Sequence, residues 1–110
     1  MKVLSIWKGA VDRPMSQMEI AEFVADKHRI TVDEIRLNCR MRGYAWPRHE
    51  AMYMMAIEVR PDGIPRWSYS QIGAFFGQDH SSAIDGVQGH CARNGLERPR
   101  RAIGGWKMAG

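Results

Sequence analysis

Apolar residues along this chain recur at helical spacing, with no stretch of the strict alternation that marks a strand. Ile20, Phe23 and Val24 share one face of a helix expected over residues 17–28. Met52, Met55, Ala56 and Val59 line a second stripe, Ile72, Phe75 and Phe76 a third, and Ala83, Ile84, Val87 and Cys91 a fourth. Three helix starts carry the same local device. Ser16 with Glu19, Thr31 with Glu34, and Ser68 with Gln71 each form a capping box, in which cap and third residue exchange side-chain-to-backbone hydrogen bonds. The pairs Met15/Ile20, Ile30/Ile35 and Trp67/Ile72 are placed to act as their hydrophobic staples. The box at Thr31 opens only a short helix. Pro47 suits the first turn of a third helix, where its missing N–H costs nothing, and that helix should stop before Pro61.

Residues 61–66, PDGIPR, form a turn-rich loop. Gly77 is a natural C-terminal stop for the fourth helix, and Asp79 is placed to cap the fifth. Gly86 and Gly89 should weaken that last helix, by about 1 kcal/mol each relative to alanine if interior. The fold class is therefore all-α, a small helical bundle in one domain over residues 16–94. Residues 1–15 form an N-terminal arm whose structure the sequence leaves open. Residues 95–110 hold too much Gly, Pro and Arg to pack, and are expected to form a basic disordered tail.

Charge changes the picture once it is placed. Residues 1–92 carry eleven Lys/Arg and eleven Asp/Glu, so the whole net charge of +4 sits beyond them. Within the neutral part, residues 36–48 hold Arg36, Arg40, Arg42 and Arg48 and no acid. For the tail, ordinary solvated charge is a sufficient account. The internal strip points to nucleic acid, because clustered cations gain most from a dense row of phosphates. No apolar run is long enough to span a membrane, no signal peptide pattern opens the chain, and the only two cysteines lie far apart. A cytoplasmic protein is expected.

Between the fourth and fifth helices stands GQDH, residues 77–80, followed by Ser81 and Ser82. Two short helices joined by a tight turn containing Gly match a helix-turn-helix, whose second helix enters the major groove and meets base edges with its first residues. Asp79, His80, Ser81 and Ser82 are small or medium polar groups suited to hydrogen bonding there. The stretches ITVDEIRLNCRMRGYAWPRHEAMYMMAIEV (30–59) and SYSQIGAFFGQDHSSAIDGV (68–87) resemble the C-terminal DNA-binding domain of the bacterial replication initiator DnaA. That family has a Trp-repressor-like helix-turn-helix, a basic loop running into an ARPRQ-like helix start, and an FGGRDHTTV-like signature. The similarity runs from about Ile20 to Val87.

The resemblance implies roles for the matching positions. Arg40 would enter the minor groove, Arg48 and His49 would hold phosphates, and Asp79, His80, Ser81 and Ser82 would read bases. Arg42, in the same basic strip, and Gln78, at the family's turn arginine, are further phosphate candidates. A helix N-terminus near Pro47 would supply a ready phosphate site. There are also departures: one turn glycine is absent, both family threonines are serines, Gln88 and Gly89 stand where basic residues follow, and Trp46 replaces an arginine.

No G-x-x-x-x-G-K-[ST] loop is present, so the initiator's nucleotide-binding engine is not expected on this chain. Enzyme signatures are equally missing: there is no G-x-S-x-G elbow, H-E-x-x-H pattern or C-x-x-C pair, so no catalysis, metal or cofactor is expected. The expected function is sequence-selective double-stranded DNA binding in a small regulator of transcription or replication, of bacterial or phage type. The alternative is a module that docks on a replication or transcription protein without reading DNA. The sequence leaves the oligomeric state open.

Overall fold

The computed structural model describes residues 15–37 and 41–99. Among them the chain forms helices α1 (Gln17–Lys27), α2 (Val32–Arg36), α3 (Arg42–Ala56), α4 (Tyr69–Phe75) and α5 (His80–Asn94), with no strands beyond an isolated bridge between Val59 and Pro65. The fold is all-helical, as the spacing of apolar residues requires. Residues 1–14 of the proposed arm, the tail beyond Pro99 and Arg40 lie outside the described residues.

All three capping boxes form. Ser16, Thr31 and Ser68 each accept from the backbone N–H three residues on, and Glu19, Glu34 and Gln71 return the bond. Met15 and Ile20 are both buried, and Ile30 and Trp67 pack half-buried against the core, so the staples hold the chain's entry into each helix. The core gathers Ile20 and Val24 of α1, Ile35 of α2, Ala51, Met52 and Met55 of α3, Ile72 and Phe76 around α4, and Ala83, Val87 and Cys91 of α5. Helix α3 is the central element, packing on α5, α1 and α2.

Helix α3 differs from expectation at both ends. It starts at Arg42, five residues before Pro47, with Met41 as a cap that makes no side-chain bond. Pro47 sits buried inside the helix, so the backbone near it is not a helix N-terminus and the phosphate site expected there does not exist. A proline at the sixth helical position loses the bond to the Gly43 carbonyl and crowds it, a cost of about 3 kcal/mol that the burial of Pro47 helps to offset. At the other end the helix stops at Ala56, so Val59 leaves the inner stripe and is exposed in the loop. There Arg60 and Arg66 N–H groups bond the Ile64 and Glu58 carbonyls, closing the predicted turn at Gly63. Gly86 does lie inside α5, for a packing reason. A Cβ there would come within 2.6 Å of Met52 Sδ and 3.0 Å of the His49 ring, so its absence lets α5 settle on α3.

Candidate nucleic-acid interface

The end of the molecule expected to read bases is built by the junction of α4 and α5. Helix α4 ends at Phe76, and Gly77 follows with φ +70°, a conformation that costs glycine little. Gly77 N–H donates to the Ala74 carbonyl and Gln78 N–H to that of Gly73, a Schellman closure. The chain then folds back so closely that a Cβ on Gly73 would lie 2.3 Å from the Asp79 carbonyl oxygen. Asp79 caps α5 by accepting from Ser82 N–H at 2.9 Å. That bond holds the Asp79 carboxyl below its ordinary pKa, so it remains an anion at the head of the helix.

His80 and Ser81 stand exposed on the first turn of α5, with Ser82 half-buried beside them. Arg48, His49, Gly77, Gln78, Asp79, Ser82, Asp85 and Gly86 line one open polar cleft along the α3–α5 seam. The structure thus brings together Gln78, Asp79, Ser82, Arg48 and His49, with His80 and Ser81 at the rim. Arg42 lies apart, on the first turn of α3.

Two of these residues are not set up as the sequence suggested. Arg48 is only 4% exposed, and its Nη1 donates to the carbonyls of Ile35 and Leu37. Its guanidinium is engaged in holding α2 and the strip that follows it to α3, which leaves it poorly disposed as a surface phosphate clamp. His49 is half-buried, and its Nδ1 accepts from Arg93 Nη2 at 3.2 Å, which puts the ring proton on Nε2. Burial first, then the nearby charges of Arg93, Arg48 and His90, push its pKa down from 6.5 to about 4. At neutral pH His49 offers a hydrogen-bond donor and no charge.

This has a measurable consequence. Between pH 6.5 and about 4 the unfolded chain takes up a proton at His49 that the folded chain refuses, so stability falls as pH is lowered through that window. His90, whose pKa burial also lowers, acts in the same direction. Thermal melts from about pH 7 down to about pH 4 should show a decline that is visibly shallower in His49→Gln. An equal slope in the variant would contradict the assignment.

Three features of the interface escaped the sequence. Asp85 follows Ser81 by four residues and Ser82 by three, so it extends the exposed face of α5, and that spacing was available as a signal. Gly73 looks like an ordinary helix residue until the turn is seen to press against it. Arg93 and Trp46 meet only through tertiary packing.

A protein-family model described as the bacterial dnaA protein helix-turn-helix matches residues 18–89, from the start of α1 through most of α5. The chain belongs to the bacterial DnaA helix-turn-helix family. No curated protein and no solved structure matches it. DNA binding is the general property of the DnaA helix-turn-helix family, and the matched residues include the α4–turn–α5 unit described above.

Proposed function

We propose that this chain is a sequence-selective double-stranded DNA-binding protein and a small cytoplasmic regulator of transcription or replication, acting by binding and without catalysis. The observation that carries this reading is the first turn of α5. It is held by the Gly77 turn and the Asp79 cap, and it presents the exposed His80 and Ser81 beside a polar cleft. A rigid helix end with small polar side chains is what base-edge reading in the major groove needs. Arg40 is assigned to the minor groove and Arg42 and Gln78 to the backbone, with His49 donating from Nε2.

The test is selection from sheared genomic DNA by the purified protein at moderate salt, with His80→Ala/Ser81→Ala as control. These two residues are exposed, whereas Asp79 also caps α5, so the control leaves the fold intact. Enrichment of a short motif that disappears in the control supports the proposal. Equal retention of all fragments by both proteins reduces it to non-specific phosphate binding. No retention favours docking on a replication or transcription protein instead.

Asp85 sharpens the prediction. An exposed carboxylate on the reading face can accept from a cytosine amino group. Asp85→Asn should flatten the preference at one position of the selected motif, by about 1–3 kcal/mol against the other bases, as read from binding to single-base variants.

A further inference from the structure

A second basic feature lies at the other end of α5. Trp46 on α3 is 43% exposed, and its ring carries two guanidinium groups, Arg93 at 4.4 Å and Arg42 at 5.4 Å from the centroid. Other stacked arginines are used by the fold: Arg36 lies over Phe75 and donates to the Phe75 carbonyl, and Arg66 lies over Trp67 and donates to that of Met15. Among the described residues, Arg42 and Arg93 have no such anchor. The ion pairs among the described residues join Lys27 and His28 to Glu50 and Arg60 to Asp62. Neither Arg42 nor Arg93 takes part, and Arg93 donates only to the neutral imidazole of His49. Burial lowers the Arg93 pKa with no anion to offset the lost hydration. Gly89 clears the route, since a Cβ there would lie 3.3 Å from Arg93 Nη1.

We propose that Arg42, Trp46 and Arg93 form a preassembled cradle for the DNA phosphate backbone flanking the bases read by the first turn of α5. This rests on the DNA-binding reading above and adds to it a second point of grip. His49 joins the two regions, because it lines the reading cleft and also contacts Arg93. Helix α5 spans 15 residues, roughly 21 Å from end to end. The major groove is about 12 Å wide, so an α5 lying obliquely across it, with its first turn inside, carries its other end over the sugar–phosphate wall. The indole face fixes two guanidinium groups by cation–π attraction and leaves their N–H edges for bidentate phosphate bonds. The site is sequence-independent, so it adds affinity and register without changing which bases are preferred.

The experiment measures duplex binding across a salt series for the full chain, Arg93→Gln, Arg93→Lys and Trp46→Leu, using a random-sequence duplex and the selected motif. Thermal melts confirm that each exposed-site variant is folded. Losing one phosphate contact should weaken Arg93→Gln about fivefold near 0.15 M salt on both duplexes, and reduce the slope of log K against log salt by about 0.9. Arg93→Lys should recover the slope, because it keeps the charge. Trp46→Leu should lose part of the affinity on both duplexes and cost less when Arg93 is already Gln. An unchanged slope in Arg93→Gln, on DNA that the parent chain binds, overturns the cradle and leaves the reading end standing. Failure of the parent chain to bind either duplex overturns both.

Discussion

Gly73→Val should lower the unfolding free energy by about 3 kcal/mol or more, and should remove most DNA binding from the protein that stays folded. The atoms in the way are backbone: a Cβ would lie 2.3 Å from the Asp79 carbonyl oxygen and 2.8 Å from that of Gln78. A flexible side chain could swing aside, but a turn closed by hydrogen bonds to the Gly73 and Ala74 carbonyls cannot. The turn has to open, and the first residues of α5 move with it. Urea melts and duplex binding on the same preparation check both halves. Gly43→Ala is the control, since nothing lies within 4 Å of its Cβ position in α3. It should be neutral or stabilising, by up to about 1 kcal/mol.

The second large effect is expected at Arg48. Arg48→Met fills a similar space but leaves the Ile35 and Leu37 carbonyls without their donor. Each carbonyl stripped of its partner costs about 1–3 kcal/mol to the extent that it is buried, so a loss of roughly 2–4 kcal/mol is expected. Two roles for Arg48 give different results. A residue gripping phosphate would, when replaced, reduce the salt slope of DNA binding and leave the melting temperature alone. A residue tying α2 to α3 would lower the melting temperature and leave the slope alone. The second outcome is expected, and the first would restore Arg48 to the DNA surface.

How far the sequence could be read follows the range of each interaction. The three capping boxes and their staples were legible because every partner lies within five residues. The stop at Gly77 and the cap at Asp79 were legible for the same reason. The start of α3 was misplaced because Met41 offers no capping side chain, while Pro47 imitates a helix start. Arg48 was legible in principle: it precedes Met52 by four residues and Met55 by seven, on the face that is buried. Its charge and its place in the family pattern drew it outward. The neutral state of His49 was not legible, because it depends on burial and on Arg93, 44 positions away in sequence. The stack on Trp46 was hidden likewise. Trp46 could be seen as a missing arginine, but not as the surface on which two arginines meet.

The cap on α5 has one more consequence. The bare start of a helix is an anion trap, and on a phosphate-lined polymer it would settle on the backbone anywhere. Here that place is filled by the chain's own carboxylate, Asp79, bound to Ser82 N–H. On the proposed reading, the helix end that discriminates between bases is thus made unattractive to the one chemical group that every stretch of DNA shares. On that reading, grip then falls to groups beside and beyond that helix start, and a wrong sequence is released sooner because the capped N-terminus itself adds no hold on the backbone.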